Sequence, residues 1–535
     1  MIGRRKFLKE LSYGGIGIGL LAHDVLAHDV IAQPLLANAG FGSDTTLKLT
    51  SRFSPESQGV SSQGLINFFD AVDKSGLEFH SIMVNRNGKT ILEGWWQPFK
   101  KEYIHTLYSL SKSFTSTAVG MLKGEGKIDV NDKVISFFPD KLPSQVSDNL
   151  AAMRVYDLLT MHTGHDKDTM ERIRTAGGND WVKNFLQLEV SRQPGSLFLY
   201  NTGATYMLSA IVQKITGQNV MTYLKPRLFT PLEIEGADWE TDPQGINVGG
   251  YGLRIRTQDI LNFGQLYLQN GEWKGKQLLS KEWISEATKK QVNSQDNSSD
   301  WGQGYGYQFW RCKPGCYRGD GAYGQYCIVV PEKNAVIAIT SETKDMGASM
   351  QLVWDHILPA MDDVKSKPEN KEATQRLTTR CAQLSLPING TASGDALSAI
   401  TGKRSYTFDA NKLNAQKISF SLGKDECDIS ITENGNTTRI KSGYRRWLTA
   451  DNKKEPNTLF AFPGRMQIGT KFSSNYYWAE QNKLVVTLKY VENAHTDIFT
   501  FAFTDGKMEM SFNNSISIMT NKADERPAIP ASQVA

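Results

Sequence analysis

The residues with the clearest potential for chemistry are a serine and a lysine three positions apart, Ser109 and Lys112. At this spacing on a helix both side chains lie on one face, so the amine would stand beside the hydroxyl. A serine hydroxyl is a weak nucleophile until a neighbouring base takes its proton, and an amine of lowered pKa can do this. A helix N-terminus also offers free N–H groups to a developing oxyanion. The pair therefore predicts a serine that forms an acyl-enzyme.

The same Ser-x-x-Lys spacing occurs twice more, at Ser341/Lys344 and at Ser421/Lys424. Those two pairs fall at a predicted strand end and a strand-turn junction, where no helix begins. The first pair instead opens a predicted helix, 110–122, that ends at a Gly-Glu-Gly sequence. One face of this helix carries small residues, which allow a buried helix to pack closely: Ser113, Ser116, Ala118 and Gly120.

The elements around this helix indicate a mixed α/β domain over residues 40–362. Asn87-Gly88 is a pair typical of a hairpin turn, and on each side of it lies a run in which apolar and polar residues alternate. The middle of the segment is mainly helical, and strand patterns return over 326–340. Because strands lie at both ends, the first and last of them can share one sheet. We predict an antiparallel sheet flanked by helices, with a helical lobe as one wall of a cleft.

A second domain follows, because 535 residues are too many for one core. Residues 363–400 are rich in Lys, Glu, Asn, Ser and Gly and read as a linker. Within residues 401–535, apolar and polar residues alternate in short runs. This pattern predicts an all-β domain, either a sandwich or a small barrel. No catalytic constellation is apparent in it.

Three further segments follow the first Ser-x-x-Lys pair in order along the chain. Residues 157–164 read Asp-Leu-Leu-Thr-Met-His-Thr-Gly, residues 194–203 contain Leu-Tyr-Asn-Thr-Gly, and residues 319–326 read Gly-Asp-Gly-Ala-Tyr-Gly-Gln-Tyr. With these segments the chain resembles the class C β-lactamase-like serine hydrolase superfamily over about residues 60–360. That group includes penicillin-recognising enzymes, related esterases and the 6-aminohexanoate-dimer hydrolases.

The resemblance implies that Tyr200 is the second half of the general base. A phenol beside an ammonium is shifted toward phenolate, so Lys112 and Tyr200 would share one proton. Tyr200, supported by Lys112, would also activate the water that hydrolyses the acyl-enzyme. The N–H groups of Ser109 and Ala322 would form the oxyanion hole, and His162 would hold a turn rather than take part in the chemistry.

Two positions depart from the β-lactamase pattern. Those enzymes have Tyr-x-Asn, whereas the third residue here is Thr202, and Asn201 comes one place early. They also have Lys-Thr-Gly, whereas this chain has Gly319-Asp320-Gly321. A carboxylate there would repel a substrate carboxylate, which favours a neutral ester or amide, or a cationic substrate. The other interpretation is that Asp320 is a turn residue between two glycines.

We expect Asp320, Gly321 and Tyr323 to bind the substrate. Aromatic residues nearby either line a pocket or form the core: Trp301, Tyr305, Tyr307, Trp310 and Tyr323.

Composition narrows the classes of partner. Apolar residues make up 40% and charged residues 22%, which is typical of a soluble globular protein. The net charge of +4 comes from 60 basic and 56 acidic residues that are interspersed, so we expect no nucleic-acid binding.

Residues 1–39 are typical of an export leader. They combine Arg4-Arg5, which resembles a twin-arginine signal, with an apolar run at 14–22 and the cleavage-site pattern Ala37-Asn38-Ala39. The run is shorter than the roughly 20 residues that span a bilayer. We expect an exported, periplasmic protein without a membrane span after processing; an uncleaved anchor is the alternative.

Five cysteines occur: Cys312, Cys316, Cys327, Cys381 and Cys427. An exported protein can form disulfides, and Cys312 and Cys316 flank a Pro-Gly turn that would let them pair. The alternative is that all are reduced and packed as small apolar residues. No His-Glu-x-x-His or Cys-x-x-Cys sequence occurs, so we expect no metal and no cofactor.

Together these features predict a serine hydrolase that cleaves an ester or amide in a small-molecule or peptide-like substrate. The alternatives are a β-lactamase or D-peptidase acting on cell-wall-type substrates, or a penicillin-binding-like sensor that is acylated without turnover. A further alternative, a catalytically inactive interaction module, is disfavoured because Ser109, Lys112 and Tyr200 are all present.

Overall fold

The structure is a computed structural model, and the residues it describes are 53–294, 298–362, 364–388, 402–450 and 471–534. The predicted export leader, 1–39, and residues 389–400 of the predicted linker lie outside the described residues. Within the described ranges, no helix combines the length and apolar character needed to cross a membrane.

The first domain is built on a six-stranded antiparallel sheet with two smaller sheets beside it. Its strands are β1 (Glu78–Arg86), β2 (Lys89–Trp95), β3 (His105–Thr106), β4 (Asp238–Trp239), β5 (Leu253–Ile255), β6 (Glu272–Trp273), β7 (Lys276–Gln277), β8 (Trp310–Arg311), β9 (Tyr317–Gly321), β10 (Gln325–Val330) and β11 (Ala335–Glu342). The main sheet has the order β2-β1-β11-β10-β9-β8. The first and last strands pair as expected, with Ile82 opposite Ile339.

Helices cover both faces of this sheet. They are α1 (Ser62–Ser75), α2 (Ser111–Gly124), α3 (Asp148–Ala152), α4 (Val155–Leu159), α5 (Met170–Thr175), α6 (Trp181–Leu186), α7 (Thr202–Thr216), α8 (Val220–Leu224), α9 (Thr257–Leu268), α10 (Lys281–Thr288), α11 (Met346–Leu352) and α12 (Lys371–Ala382). Those from α3 to α8 form the helical lobe.

Two apolar cores lie on opposite faces of the sheet, because successive side chains of a strand point in opposite directions. Met83 and Ala338 face the larger core, which contains residues of α2, α7 and α9. Ile82 and Ile339 face the second core, which contains residues of α1 and α12. The predicted mixed α/β class, an antiparallel sheet flanked by helices with a helical lobe, is confirmed.

Helix α12 lies inside the segment that the sequence indicates as a linker. Its Thr374 hydroxyl donates to Glu56 Oε2 at 3.2 Å, its Arg380 pairs with Asp73 of α1, and its Leu377 is buried in the second core. The helix has a mostly polar sequence with a narrow apolar face, so composition alone resembles that of a linker. Residues 371–382 therefore pack as part of the first domain.

The C-terminal domain is a β-barrel with one short helix, α13 (Ser515–Thr520). Its strands are β12 (Gly402–Phe408), β13 (Ala415–Leu422), β14 (Glu426–Glu433), β15 (Asn436–Tyr444), β16 (Leu448–Ala450), β17 (Phe472–Glu480), β18 (Lys483–Tyr490), β19 (Thr496–Thr504), β20 (Lys507–Asn514) and β21 (Ile529–Gln533). They form one ten-stranded sheet, and a parallel pairing of β15 with β17 closes it. The predicted all-β domain is confirmed, and it is a barrel rather than a sandwich.

Candidate active site

The proposed nucleophile lies at the entry to α2. Ser109 sits on a single 3₁₀ turn, Tyr108–Leu110, that runs directly into the helix. Every residue of α2 from Ser111 to Leu122 is buried. Small residues make this possible, since a Cβ on Gly120 would meet the Trp283 ring at 2.4 Å. The helix therefore carries its lysine into the protein interior while Ser109 remains half-buried at the surface of the site.

Lys112 is withdrawn from water and held by three oxygen atoms. Its Nζ donates to Ser109 Oγ at 3.0 Å, to Thr202 Oγ1 at 3.4 Å and to the Gly250 carbonyl at 2.8 Å. Burial lowers the pKa of Lys112 to about 7, although the negative charges of Asp168 and Asp320 oppose this shift. A substantial fraction of the amine is thus unprotonated at neutral pH and can accept a proton.

Tyr200 comes next to Ser109 from the segment before α7. Lys112 Nζ lies 4.9 Å from the centroid of the Tyr200 ring, and the ring stacks on Trp310 at 5.4 Å. Burial raises the pKa of the Tyr200 phenol and Asp320 acts in the same direction, while a hydrogen bond with Ser109 opposes them. This is the reverse of the expected shift toward phenolate. A Lys112 amine with a pKa of about 7 carries only part of a positive charge, which does not outweigh withdrawal from water.

Asn201 fixes the backbone that presents Tyr200. Its buried side chain accepts from the Thr169 hydroxyl at 2.7 Å and caps α7 by accepting from Gly203 N. Its Nδ2 donates to Thr163 Oγ1 at 3.2 Å, in the turn that also contains His162. The Asn201 amide therefore holds local structure together. Thr202 contacts Lys112 at the position where β-lactamases have asparagine.

His162 is part of that turn. Its Nδ1 lies 2.9 Å from the Thr160 carbonyl, and burial lowers the pKa of its imidazole. These contacts match the expected turn-holding role.

Strand β9 forms the opposite side of the site, and two glycines let it approach α2. A Cβ on Gly319 would lie 2.4 Å from Leu110 Cδ1, and one on Gly321 would lie 2.0 Å from the Leu107 carbonyl. Strand β9 thus ends against the turn that carries Ser109. The role of Ala322, the next residue, as second oxyanion donor stays a prediction.

Asp320, between the two glycines, is 6% exposed and ion-paired. Its Oδ2 accepts from Arg318 Nε at 3.0 Å and from Trp301 Nε1 at 3.0 Å. Burial raises the pKa of Asp320 although Arg318 opposes it. The carboxylate therefore has protein partners, and its predicted contact with substrate stays a prediction.

Among the aromatic residues near the site, Tyr305 and Trp310 are almost fully buried. They pack on each other at 4.6 Å, and Trp310 supports the Tyr200 ring from behind. Tyr305 and Trp310 therefore belong to the core. Tyr323 packs against Tyr108, with the ring centroids 5.3 Å apart.

A comparison with protein families agrees with this arrangement of fold and residues. The family model described as Beta-lactamase matches residues 69–361, more than half of the chain. The chain belongs to the β-lactamase family. As the sequence resemblance implies, the protein is a serine hydrolase of this family.

Relatives within the β-lactamase family are distant. The chain is 24% identical over 288 residues to the 6-aminohexanoate-dimer hydrolase of Paenarthrobacter ureafaciens, covering 50% of this chain and 73% of that protein. It is 24% identical over 270 residues to penicillin-binding protein 4 of Amycolatopsis lactamdurans, covering 43% of this chain and 70% of that protein. A solved structure of a D-stereospecific amidohydrolase from Streptomyces sp. aligns with a TM-score of 0.45 and 17% identity, covering 56% of this chain and 99% of that one.

Sequence reasoning missed two partners of the site, Gly250 and Asp168. Gly250 contributes a backbone carbonyl to Lys112, and Asp168 Oδ2 accepts from the backbone N of Thr202 at 3.1 Å. Neither position belongs to a recognisable motif, because a carbonyl and a single carboxylate leave no pattern in a sequence.

One group among the described residues has atoms close enough to hold a metal: Glu78, His80 and Glu342, within 4.8 Å of one another. The Lys489 ammonium of the barrel binds both carboxylates, at 2.8 Å from Glu342 Oε2. This lysine supplies the positive charge that two buried carboxylates require.

The structure keeps the five cysteines as free thiols. Cys312 and Cys316 are nevertheless adjacent, since Cys312 N donates to the Cys316 carbonyl at 3.0 Å. Arg318 Nη1 donates to Cys312 Sγ at 3.2 Å, which ties this turn to the ion pair beside the site.

Proposed function

We propose that the protein cleaves an ester or amide bond through an acyl-enzyme on Ser109. The observation that carries the proposal is the 3.0 Å contact between Lys112 Nζ and Ser109 Oγ, in a site that lowers the pKa of Lys112 to about 7. A base whose pKa is near the working pH is well suited to remove a hydroxyl proton in a transition state.

In the first step Ser109 Oγ attacks the substrate carbonyl and its proton passes to the neutral Lys112 amine. The carbonyl oxygen becomes an oxyanion that the N–H groups of Ser109 and Ala322 would bind. The tetrahedral intermediate then expels the alcohol or amine, which takes a proton from the Tyr200 phenol. Tyr200 recovers a proton from the Lys112 ammonium, so that both groups return to their resting states.

In the second step water attacks the acyl-enzyme. The water proton passes to Tyr200 while the phenol proton passes to the neutral Lys112 amine. The Lys112 ammonium then protonates Ser109 Oγ, which leaves as the alcohol. Their roles are those of the first step in reverse order.

Charge near the nucleophile favours a neutral or cationic substrate over an anionic one. Asp168 and Asp320 both act on Lys112, and the Arg318 charge is already paired with Asp320. The similarity to a 6-aminohexanoate-dimer hydrolase supports cleavage of an amide bond. The similarity to penicillin-binding protein 4 supports the second candidate, a β-lactamase, D-peptidase or non-turning-over sensor acting on cell-wall-type compounds.

Labelling with a fluorophosphonate tests the nucleophile. We expect one adduct on the wild-type protein and none on Ser109→Ala, because Ser109 Oγ lies 3.0 Å from a lysine amine whose pKa is lowered to about 7. Ser421→Ala is the matched control, since Ser421 has the same spacing to a lysine but lies on barrel strand β13. Equal labelling of wild type and Ser109→Ala would refute the proposal.

Substrate assays separate the two candidate functions. We expect turnover of p-nitrophenyl butyrate to exceed that of nitrocefin, and both to vanish in Ser109→Ala. Preferential hydrolysis of nitrocefin would instead favour the β-lactamase candidate. A penicillin adduct that persists for hours by mass measurement, with no ester turnover, would favour the sensor.

We also propose that the protein is exported to the periplasm. The support is sequence alone, namely the paired arginines, the short apolar run and the Ala-Asn-Ala pattern within residues 1–39. The mass of the N-terminal peptide from fractionated cells tests this, with cleavage after Ala39 as the expected result. Retention in the cytoplasm with an intact N-terminus would contradict it.

A further inference from the structure

The C-terminal barrel reaches the nucleophile through the turn between β18 and β19. His495 lies in this turn, is 2% exposed, and its Nε2 is hydrogen-bonded to the Tyr108 hydroxyl. Tyr108 is the residue directly before Ser109. The Nδ1 of the same imidazole lies 2.6 Å from Glu342 Oε1, at the end of β11. One side chain of the barrel thus bridges the nucleophile turn and the central sheet of the first domain.

The charge of Glu342 sets the direction of its hydrogen bond with His495. Burial opposes its ionisation, yet the Lys489 ammonium and His495 hold the pKa of Glu342 at about 2. An ionised carboxylate only accepts hydrogen bonds, so His495 Nδ1–H donates to Glu342. The other ring nitrogen, Nε2, shares a hydrogen bond with the Tyr108 hydroxyl, a group that can donate or accept.

The backbone of Tyr108 needs such support. Tyr108 has φ +47° and Tyr323 has φ +64°, in the left-handed region that costs a non-glycine residue about 1–3 kcal/mol. Tyr108 immediately precedes Ser109, and Tyr323 immediately follows Ala322. The two strained residues therefore flank both expected oxyanion donors.

His495 contacts both of these tyrosines. The edge of its ring packs against Tyr323 with centroids 4.8 Å apart, and Tyr323 packs against Tyr108 at 5.3 Å. Each of the three rings contacts the other two, and the His495 ring is also hydrogen-bonded to the carboxylate of Glu342.

We propose that His495 is a positioning residue that holds the two oxyanion donors in place, so that the barrel completes the active site of the first domain. It acts through Tyr108 and Tyr323. The inference rests on the proposed acyl-enzyme at Ser109. Because a hydrogen-bond donor stabilises an oxyanion only when it is correctly aimed, loss of this support acts on the transition state more than on substrate binding.

The test uses the full chain and p-nitrophenyl butyrate. We expect His495→Ala and Tyr108→Phe each to lower kcat by about 10- to 100-fold while KM changes by less than about threefold. The double variant should be no slower than the slower single variant, because both changes remove one hydrogen bond. Ser515→Ala is the matched control, since the Ser515 hydroxyl donates to the same Glu342 oxygen. We expect it to keep kcat within about twofold.

Tyr108→Phe removes a single oxygen atom and keeps the test valid if His495→Ala fails to fold. His495→Gln should restore part of kcat, because its amide N–H can bond the Tyr108 oxygen. Unchanged kcat in Tyr108→Phe, or losses that multiply in the double variant, would overturn the inference. If Ser109→Ala retains turnover, the proposed function itself is wrong; if only that variant loses turnover, the proposed function stands and the role of His495 is refuted.

Discussion

Lys112 Nζ lies 3.0 Å from Ser109 Oγ and the lysine side chain is buried, and this burial decides the roles of the two titratable groups, Lys112 and Tyr200. The same withdrawal from water lowers the pKa of the amine and raises that of the Tyr200 phenol, because it penalises the charged form of each. At neutral pH the lysine amine is therefore the available base, and the tyrosine rests as the neutral phenol.

This assignment predicts a pH profile. The value of kcat/KM for ester hydrolysis should rise with pH through about 7 and then level off, because the Lys112 pKa of about 7 makes the amine a cation below that pH and a base above it. Steady-state rates from pH 5 to 9 would measure this.

The control for the profile is His162→Gln, since a histidine near the site is another source of titration in this range. The burial-lowered pKa of His162 places its own titration below the expected limb. The limb near pH 7 should therefore persist in this variant. Its disappearance would assign the titration to His162 and remove Lys112 from the role of base.

At the scale of elements, the site depends on how closely β9 approaches the turn before α2. The turn carries Ser109, and β9 carries Asp320 and ends just before Ala322. The strand contacts the turn at Gly319 and Gly321, where no space remains for a side chain. The hairpin, the buried helix and the sharing of one sheet by the first and last strands were predictable from the sequence. The closeness of β9 to α2 was not, because it depends on packing between segments about 200 positions apart.

Gly321→Ala tests that contact. Its Cβ would lie 2.0 Å from the Leu107 carbonyl, so β9 must move away from the nucleophile turn. We expect kcat to fall at least about 10-fold and stability to fall by about 1–3 kcal/mol, as for an overpacked site. Ester kinetics and thermal unfolding of the purified protein measure the two effects.

Gly124→Ala is the matched control, at the far end of α2. A Cβ there meets no atom within 4 Å, and alanine is favoured over glycine in a helix by up to about 1 kcal/mol. This variant should keep full activity and normal or slightly increased stability. Equal losses in both variants would show that the contact with Leu107 is not responsible.

At the scale of the whole molecule, the barrel and the first domain share a buried ion network. Lys489 of β18 binds Glu78 at the start of β1 and Glu342 at the end of β11, and it is 1% exposed. Removing one member of such a network leaves the opposite charges buried without compensation. This network therefore couples the two domains energetically, in addition to the contact of His495 with Glu342.

Lys489→Met should lower the free energy of unfolding by about 3–5 kcal/mol, because it leaves the buried Glu342 carboxylate beside that of Glu78, which is 34% exposed, without the lysine cation. Denaturant unfolding of the full chain measures this. Lys483→Met is the control on the same strand, since Lys483 and its partner Glu480 are 41% and 63% exposed. It should change stability by less than about 1 kcal/mol. If Lys489→Met also lowered stability by less than about 1 kcal/mol, the network would not couple the domains.

The sequence by itself determined the local features of this protein. Spacing on a helix placed Lys112 beside Ser109, alternation located the strands, and the family resemblance carried by short ordered segments implied that Tyr200 belongs to the same site. These follow from the geometry of single elements and from short segments, which a sequence states directly.

Only the tertiary structure decided the direction of the Tyr200 shift, the pairing of Asp320 with Arg318 and the contribution of the barrel. Each depends on burial and on partners that no local pattern names. His495 meets Tyr108 across 387 positions of chain, and neither residue lies in a motif that points to the other. A pKa or a close contact is a sum over everything packed around a group, so it exists only once the chain has folded.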